Sequence, residues 1–374
     1  MIYIQGAYYF MKKISFIIPS FKTGGGNRVF IELANILAED HIVEIIYPNN
    51  SIEVNTFNVN QEIKLISVGQ SSESKLIKIF NIIKTFSFVN KHCSNSYVIT
   101  SDPLMGLLGF LLTISHKYRF VQADDYKIFD DNMIIKSRLL LKFYKKATKL
   151  SYKYRFSYIF NSQYTFQAFK DVYPDFNGAA PIVHPAINPK IFNVTGRKTA
   201  EIGKKTICLV ARKHPWKGLQ TFINVWNTLP NNIKKKIGKV RLISHDDLSF
   251  FDTADFEVIT PKNDKDIADV FRQSDIFIST SWWEGFGLPP LEAMACGCAI
   301  ITSRSGGVNE YAIDGFNCIM FPPQNEQKLQ KAIIELIENT TFCKRLSDNA
   351  ILTSTKFNWN SSAKQLTDIL GNTR

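Results

Sequence analysis

The stretch Ser281-Trp-Trp-Glu-Gly-Phe-Gly-Leu-Pro-Pro-Leu-Glu-Ala-Met-Ala-Cys-Gly297 is the most informative part of this 374-residue chain. It follows a short apolar run, Asp275–Ser279, and its two prolines are expected near the first turn of a helix. A strand, a glycine-containing loop and a helix form the first half of a βαβ unit. Repetition of that unit builds parallel α/β sheets.

The same alternation of strand-like runs and helical patterns extends along the chain in both directions. It is interrupted at 181–189, where three prolines exclude a long helix. Predicted helices include Gly26–Glu39 and one that begins near Gly218. The predicted strands before the interruption are Ile14–Pro19, Ile42–Tyr47, Tyr97–Ser101, Arg119–Gln122 and Ser157–Asn161, and those after it are Thr206–Ala211, Val240–Ser244, Phe256–Thr260, Asp275–Ser279 and Ala299–Thr302.

The chain is too long for a single hydrophobic core, so these two series predict two domains. We expect an α/β protein with two Rossmann-like, doubly wound domains that face each other across a cleft. The first domain spans 1–188, with 1–10 as an upstream extension, and the second spans 189–357, with a hinge near 186–204. A terminal helix in 358–374 is expected to pack back toward the first domain.

Composition favours a cytoplasmic protein. No apolar run reaches the roughly 18–20 residues of a membrane-spanning helix, and Ile14–Ser20 is too short for a signal-peptide core. The six cysteines are scattered, and Cys296 and Cys298 alone are not a zinc ligand set, so we expect free thiols and no metal site.

The formal net charge of +12 is concentrated in one segment. Between Asn132 and Lys170 there are nine basic residues and no acidic one. Within it, Lys136–Arg155 has the pattern of a basic amphipathic helix. One interpretation is a helix that lies on an anionic membrane at the inner face of the cell membrane, and the other is a solvated basic face packed on the core through its leucines. The charge also allows nonspecific binding to nucleic acid, but no recognition motif accompanies it, so no specific nucleic-acid partner is expected.

Three segments at predicted strand ends carry candidate binding residues, since ligands of doubly wound sheets lie at the carboxyl ends of strands. Gly24-Gly25-Gly26 opens a helix and allows close approach of a phosphate. Arg212 and Lys217, followed by Gly218, could clamp a diphosphate leaving group, although a solvated basic loop is the alternative.

The third segment is the opening stretch itself. Its prolines leave the N–H groups of Gly287 and Leu288 free to face an anion. Glu284 lies in the loop and Glu292 in the expected first turn of the helix, where carboxylates can accept hydrogen bonds from vicinal hydroxyls of a sugar and a ribose. Solvated or helix-capping glutamates are the alternative.

The stretch Glu284–Glu292, with seven residues between the two glutamates, resembles the signature of retaining B-fold glycosyltransferases, specifically glycosyltransferase family four. Four further segments fit the same order, so the resemblance covers essentially the whole chain. These are Gly24–Gly26, Val183–Asn188, Arg212 to Gly218, and Gly306–Glu310 with Asp314-Gly315.

The resemblance implies roles for these positions. Glu292 resembles the residue that binds the donor ribose, and Glu284 the residue that contacts the transferred sugar. Arg212 and Lys217 match the pair that neutralises the departing diphosphate. The N–H groups of Gly287 and Leu288 would assist them, and Gly25 and Gly26 would approach the phosphates from the other domain. The family also implies retention of anomeric configuration and no need for a metal ion or other cofactor.

One segment departs from the family pattern. Many relatives have a histidine in the amino-terminal domain near the reaction centre, whereas this chain has Gln122-Ala-Asp124-Asp125 there. This element resembles that of a subset in which some members transfer deoxyhexoses. We expect Gln122, Asp124 and Asp125 on the acceptor side, with a carboxylate near the oxocarbenium-like centre. An Asp pair that caps a loop is the alternative.

Together these observations predict an enzyme, a hexosyltransferase with a nucleotide-diphosphate sugar as donor and a glycan or lipid-linked glycan as acceptor. We expect it to act in cell-surface polysaccharide, O-antigen or capsule assembly. The alternatives are a sugar-nucleotide epimerase or hydrolase of the same fold, an inert scaffold, and a basic nucleic-acid-binding protein.

Overall fold

Two parallel β-sheets form the framework of the chain. The computed structural model describes residues 2–4, 7–9, 11–21, 25–49, 58–72, 74–101, 103–131, 136–198 and 203–372. The chain divides into an amino-terminal unit, Met1–Pro185 with Trp359–Arg374, and a carboxyl-terminal unit, Ala186–Asn358. The predicted α/β class with two doubly wound sheets is confirmed.

The amino-terminal unit contains a short antiparallel pair, β1 (Ile2–Ile4) and β2 (Ala7–Tyr9), and a six-stranded parallel sheet. The sheet order is β5-β4-β3-β6-β7-β8, so the direction of winding reverses between β3 and β6. Its strands are β3 (Lys13–Ile17), β4 (Ile42–Pro48), β5 (Lys64–Val68), β6 (Tyr97–Thr100), β7 (Lys117–Val121) and β8 (Ser157–Phe160).

Helices cover both faces of this sheet, which explains why its strands are apolar on both sides. On one face, the ring of Phe16 in β3 packs 5.0 Å from that of Phe30. The helices are α1 (Gly25–Leu37), α2 (Lys75–His92), α3 (Pro103–Leu107), α4 (Arg138–Ser151) and α5 (Gln163–Val172), with 3-10 helices at Gly109–Leu111 and Lys127–Asp130.

The carboxyl-terminal unit repeats the plan with the sheet order β11-β10-β9-β12-β13-β14. Its strands are β9 (Lys205–Val210), β10 (Ile237–Ile243), β11 (Glu257–Ile259), β12 (Ile276–Ser279), β13 (Ala299–Ser303) and β14 (Ile319–Phe321). Its helices are α6 (Leu219–Thr228), α7 (Asn231–Lys234), α8 (Asp264–Arg272), α9 (Leu288–Ala295), α10 (Glu326–Glu338) and α11 (Thr340–Ser354), with 3-10 helices at Pro215–Lys217 and Gly307–Glu310.

The last helix, α12 (Trp359–Asn372), belongs to the amino-terminal unit although it follows the carboxyl-terminal one. Ser362 Oγ donates to the carbonyl of His184 at 2.7 Å, and Lys12 Nζ donates to that of Thr367 at 2.9 Å. Buried apolar side chains of α12 therefore complete the core beside α1.

All six cysteines lie in the described residues, and each is buried and unpaired. In the same part of the chain, no helix is both long enough and apolar enough to cross a membrane. Some predictions fall outside the described residues, namely Gly24, positions 1, 5, 6 and 10 of the expected extension, positions 199–202 of the expected hinge and positions 373–374 of the expected terminal helix.

Candidate active site

The candidate site of the carboxyl-terminal unit is built from loops at one edge of its sheet. Strands β10, β9, β12 and β13 are neighbours, and the chain enters a loop at the carboxyl end of each. Because the strands are parallel, these four ends share one edge, where doubly wound sheets bind their ligands. The loops place Arg212, Lys217, Glu284 and Gly287 at this edge, and α9 adds Leu288 and Glu292.

Arg212 follows β9 and is held by a residue from the neighbouring loop. Its Nε donates to Asp246 Oδ2 at 2.9 Å, and the backbone N–H of Lys213 donates to the same oxygen at 2.9 Å. Asp246 follows β10 and is largely buried, whereas the Arg212 side chain is 40% exposed. Asp246 therefore fixes the start of the guanidinium group and leaves its far end open to solvent.

The pKa of Asp246 is lowered from its usual range. Partial burial opposes the charged form, but the hydrogen bonds from Lys213 N–H and Arg212, and the charge of Arg212, outweigh that effect. Asp246 is thus a carboxylate that keeps Arg212 oriented. The sequence analysis did not select Asp246, although its position just after a predicted strand was a usable signal.

Lys217 and Glu284 form an ion pair between the loops that follow β9 and β12. Lys217 Nζ lies 2.6 Å from Glu284 Oε1, which also accepts a hydrogen bond from Ser281 Oγ at 2.7 Å. Both side chains are partly exposed, at 28% and 19%. A cation and a carboxylate are thus in contact at the surface of the site, where an incoming anion can compete for the cation.

Backbone contacts hold these two loops together. Trp282 N–H donates to the carbonyl of Trp216 at 2.6 Å, and Thr280 Oγ1 donates to that of Lys217 at 3.0 Å. Gly218 ends the cationic loop with φ +69°, and a Cβ atom there would lie 2.2 Å from the Thr280 carbonyl oxygen. The close approach of the loops therefore requires glycine at position 218.

The loop after β13 supports Glu284 from the other side. Glu284 N–H donates to the Ser305 carbonyl at 2.7 Å, and Gly307 N–H donates to the Glu284 carbonyl at 2.9 Å. A Cβ atom on Gly307 would lie 2.0 Å from the carbonyl oxygen of Gly285. Gly307 is thus a site of backbone contact, which accounts for the Gly306-Gly307 segment noted in the sequence.

Helix α9 begins at Leu288, directly after Gly287, whose φ is +86°. The hydroxyl of Tyr311 donates to the Gly287 carbonyl and fixes the start of the helix. Burial raises the pKa of Tyr311 well above its usual range, and the charge of Glu284 adds to this effect, so the hydroxyl stays protonated as a donor.

Glu292 is the fifth residue of α9, so the expectation that it lies in the first turn was wrong. The helix begins only at Leu288, and the prolines at 289 and 290 occupy its first turn. Glu292 itself is 3% exposed. A buried carboxylate one turn into the helix is not the solvated or capping glutamate of the alternative interpretation.

A stack of three rings lies beside the ion pair. The His214 and Trp216 ring centroids are 4.5 Å apart, and those of Trp216 and Trp283 are 5.2 Å apart, with nearly parallel planes in both pairs. The stack links the loop that carries Lys217 to the loop that carries Glu284. Sequence reasoning did not predict it, because the two tryptophans are far apart in the chain.

In the amino-terminal unit, Gln122 connects loops that follow three neighbouring strands. Its Nε2 donates to Ser101 Oγ at 2.9 Å and to the carbonyl of Gly26 at 3.1 Å. Gly25 and Gly26 form the exposed first turn of α1, as expected for a phosphate-binding turn. The structure thus brings Gln122, Gly25 and Gly26 to one edge of this sheet.

Asp125 lies in a buried ion pair. Its Oδ2 is 2.9 Å from NH2 of Arg119, a residue of β7 that is completely buried. Burial disfavours the guanidinium charge, but Asp125 outweighs this effect and raises the pKa of Arg119. The Asp125 carboxylate is therefore paired with the buried positive charge of Arg119 inside the unit.

Asp124 is also completely buried. Its Oδ2 lies 2.5 Å from Lys127 Nζ and accepts a hydrogen bond from Tyr164 Oη at 2.5 Å. These contacts, with those of Asp125, tie both carboxylates to side chains of the same unit. They support the structural alternative for both residues over direct contact with an acceptor.

Comparison with known proteins identifies the carboxyl-terminal unit. Residues 195–353, which carry Arg212, Lys217, Glu284 and Glu292, match the family model described as glycosyl transferases group 1. This unit belongs to that family. Among the residues that the structure describes, no group of three or more His, Cys, Asp or Glu side chains could hold a metal ion.

Two relatives agree with this assignment. The chain is 33% identical over 180 residues to the uncharacterized glycosyltransferase MJ1069 of Methanocaldococcus jannaschii, covering 43% of this chain and 44% of that protein. It is 33% identical over 100 residues to the serotype-specific mannosyltransferase WbdA of Escherichia coli, covering 27% of this chain and 12% of that one. The chain thus spans less than half the length of either.

The structural comparison extends the likeness to both units. HepE of Anabaena, crystallised with UDP and glucose, superimposes with a TM-score of 0.69 at 17% identity, covering 96% of this chain and 99% of HepE. The chain therefore has the GT-B fold, which the sequence predicted. The group 1 unit described above is its carboxyl-terminal half.

Proposed function

We propose that this protein is a retaining glycosyltransferase that moves a hexose or deoxyhexose from a nucleotide-diphosphate sugar to a glycan acceptor. The observation that carries the proposal is the Lys217–Glu284 ion pair, which lies at the same edge of the sheet as Arg212 in a group 1 unit. The two cations suit a diphosphate, and the carboxylate suits the hydroxyls of a sugar. HepE, the structural neighbour, is a protein solved with UDP and glucose.

Each donor part has a matching group. The exposed end of Arg212 and the ammonium of Lys217 bind the diphosphate, together with the N–H groups of Gly287 and Leu288 at the start of α9. Glu284 accepts hydrogen bonds from the transferred sugar, and Glu292 accepts them from the ribose. Donor binding breaks the ion pair between Lys217 and Glu284. The diphosphate binds Lys217, and the sugar hydroxyls replace Lys217 as the partners of Glu284.

Stabilisation of the leaving group is the main source of catalysis. The bond between the sugar C1 and the phosphate oxygen breaks, and its electron pair remains on the diphosphate. Arg212, Lys217 and the helix N–H groups stabilise that charge more strongly than they stabilise the intact donor. The acceptor hydroxyl attacks C1 from the same face, and its proton passes to a phosphate oxygen of the leaving group. These side-chain cations supply the positive charge, so we propose that no metal ion or other cofactor takes part.

The amino-terminal unit contributes Gly25, Gly26 and Gln122. We propose that the two glycines approach the phosphates and that Gln122 lies on the acceptor side. Asp124 and Asp125 hold the loop that follows Gln122, because their carboxylates are buried in ion pairs. Their effect on catalysis is then indirect.

The acceptor is proposed to be a glycan or lipid-linked glycan in cell-surface polysaccharide assembly, such as O-antigen or capsule. The partial match to a serotype-specific mannosyltransferase supports this class. The basic segment Lys136–Arg155 supports contact with an anionic membrane, since Leu139 and Phe143 are 80% and 63% exposed and do not pack on the core. Unpaired thiols agree with a location at the cytoplasmic face of the membrane, where the compartment is reducing.

Calorimetric titration with uridine, guanosine and thymidine diphosphates, followed by the corresponding nucleotide sugars, tests the donor site. One diphosphate should bind, and Arg212→Met or Lys217→Met should weaken its binding by at least about tenfold, since each removes a charge-assisted contact. Lys236→Met, in the exposed Lys236–Glu338 pair, is the matched control and should leave binding unchanged.

Product analysis tests the reaction itself. Incubation with the bound nucleotide sugar and glycan acceptors should give a glycoside with the anomeric configuration of the donor, also in the presence of EDTA. Free sugar or an epimerised nucleotide sugar as the main product contradicts transfer. Equal binding of diphosphate by wild type and both cation variants contradicts the donor site.

A further inference from the structure

One face of the amino-terminal sheet is covered by α2, the 3-10 helix Gly109–Leu111 and α4. Ser15 in β3 pairs with Val98 in β6, and Thr100 pairs with Arg119 in β7, so all four side chains project from the same face of the sheet. Val98 packs in one cluster with residues of α2 and of the segment 103–114. Arg119 donates to Ser151 in α4 at 2.8 Å. Helix α1 lies on the opposite face, where Phe30 packs on Phe16.

The outer surface of this helical layer is unusually apolar. The described chain has twenty large hydrophobic side chains that are exposed, and ten of them belong to these three elements. Scattered single residues are ordinary, but such a concentration marks an interaction surface. They are Leu76, Ile77, Ile79, Phe80, Ile83, Phe110, Leu139, Leu140, Phe143 and Leu150.

In α2 the exposed residues form a stripe opposite the buried one. Leu76, Phe80 and Ile83 are 78%, 54% and 41% exposed and lie at steps of four and three along the helix. The inward face is formed by Ile82, Phe86 and Val89, which are at most 6% exposed. Helix α2 therefore has apolar side chains on two sides, of which only one is covered within the unit.

The same layer is basic. The sequences of α2 and α4 contain nine lysines and arginines and no aspartate or glutamate. Lys84, Lys91, Lys142 and Lys146 are exposed among the apolar side chains. The face therefore combines apolar residues with positive charge, and it is called the basic apolar face below.

We propose that the basic apolar face docks on the surface of an anionic lipid bilayer, with α2 as a second contact beside α4. This inference rests on the membrane contact proposed above for Lys136–Arg155 and extends it to a helix that the sequence analysis did not select. Apolar side chains enter the boundary of headgroups and acyl chains, and lysines meet the lipid phosphates. A second copy of the same face would bring like charges together, so it is a poorer occupant.

Flotation with vesicles of mixed phosphatidylglycerol and phosphatidylcholine tests the proposal on the full chain. The α2 variant Leu76→Gln/Phe80→Gln/Ile83→Gln should need at least about tenfold more lipid for half-maximal binding, because it loses three apolar contacts with the bilayer. The α4 variant, in which Lys142, Lys145, Lys146 and Lys149 are changed to Gln, should lose binding to anionic vesicles. Phosphatidylcholine alone should bind the wild type weakly.

The matched control is Phe250→Gln/Leu352→Gln, which removes two residues that are 80% and 64% exposed in the other unit. It should bind vesicles like the wild type. The control and the α2 variant should melt like the wild type because their changed side chains are exposed. The α4 variant also loses the Lys145–Asp130 ion pair, and the loss of that pair should cost less than about 1 kcal/mol. Equal flotation of the α2 variant and the wild type overturns the role of α2. If the wild type sediments as a dimer without lipid and the α2 variant does not, the face binds a second copy. That result also overturns the proposal.

Calorimetry with the nucleoside diphosphate separates this inference from the proposed function. The α2 variant should retain wild-type diphosphate affinity, since α2 lies outside the proposed donor site. A chain that binds vesicles but no diphosphate contradicts the transferase proposal alone. If the wild type binds diphosphate and all variants float as well as the wild type does, only the docking face is contradicted.

Discussion

Lys217 Nζ lies 2.6 Å from Glu284 Oε1, so the cation assigned to the diphosphate and the carboxylate assigned to the sugar neutralise each other in this structure. Either group can meet a donor only by giving up the other, at least in part. The pair thus couples recognition of the leaving group to recognition of the sugar. Removing the charge of Glu284 should therefore affect diphosphate binding and turnover in opposite ways.

Glu284→Gln should leave diphosphate affinity equal to or tighter than that of the wild type, because Lys217 no longer has a competing carboxylate. Turnover should fall about a hundredfold, because the hydrogen bond to the sugar is expected to strengthen in the transition state. Calorimetry and single-turnover kinetics measure the two effects. Glu338→Gln, in an exposed ion pair of the same unit, is the control and should change neither. Loss of diphosphate binding would show that Glu284 contacts the nucleotide instead.

Glu292→Gln preserves the size of a buried side chain and removes its charge. If Glu292 accepts hydrogen bonds from both ribose hydroxyls, nucleoside diphosphate affinity should fall by about tenfold or more, since a charged acceptor is replaced by an amide. Inorganic pyrophosphate has no ribose, so its affinity should stay the same. A parallel loss of pyrophosphate binding would instead indicate that the start of α9 has shifted.

Asp246→Asn should lower diphosphate affinity severalfold by releasing Arg212, and it should also change the pH dependence of stability. The pKa of Asp246 is lower in the folded chain than its usual value, so its contribution is present above pH ~4 and is lost as pH falls through the folded pKa. Urea unfolding of the variant should show a deficit of roughly 1 kcal/mol at pH 7 that shrinks below pH ~4. A deficit that is the same at pH 7 and pH 3 would exclude the charge as its cause.

Asp125→Asn should destabilise the protein by about 3 kcal/mol, because it leaves the guanidinium of Arg119 buried without a counter-charge. The melting temperature should fall by roughly 6–12 °C, and activity should fall only as far as folding does. Asp130→Asn removes the exposed partner of Lys145 and should cost less than about 1 kcal/mol. The double variant Arg119→Met/Asp125→Leu should recover most of the loss. A stable but inactive Asp125→Asn protein would instead support the prediction from the sequence that Asp125 lies on the acceptor side.

Gly307→Ala places a Cβ atom 2.0 Å from the Gly285 carbonyl oxygen and must displace the loop that carries Glu284. We expect a stability loss of about 1–3 kcal/mol and a larger relative loss of turnover than of diphosphate affinity. Gly238→Ala, where the nearest atom lies at 3.4 Å, is the control. Normal turnover in Gly307→Ala would mean that the position of Glu284 is not critical.

The sequence predicted the central strands of both sheets because each is a buried, β-branched run that ends in a turn. It also predicted the edge strands Ser157–Phe160 and Glu257–Ile259, but not Lys64–Val68, which is largely exposed, or Ile319–Phe321, which has three residues. Helix α2 was also missed, because apolar residues on two sides obscure a single amphipathic stripe. A largely exposed strand and a doubly apolar helix depend on neighbours that periodicity does not show.

The candidate site was predictable where one strand end supplied the residues, as for Arg212, Lys217, Glu284 and Glu292. Contacts between loops were not, because they join residues distant in sequence. Asp246 beside Arg212 and the ring stack of Trp216 and Trp283 are of this kind. The pairing of Asp125 with Arg119 is another, since a strand arginine gives no sign in sequence of being completely buried.

The burial of all six cysteines has a practical consequence. Thiol-reactive dyes or spin labels added to the folded protein meet no exposed sulfhydryl among the described residues, which include every cysteine of the chain. The natural sequence can therefore serve as an unreactive background for labelling. A single cysteine in place of Leu76 or Leu352, both well exposed, would then be the only exposed thiol among the described residues. A polarity-sensitive fluorophore on each would then report in real time which surface meets vesicles.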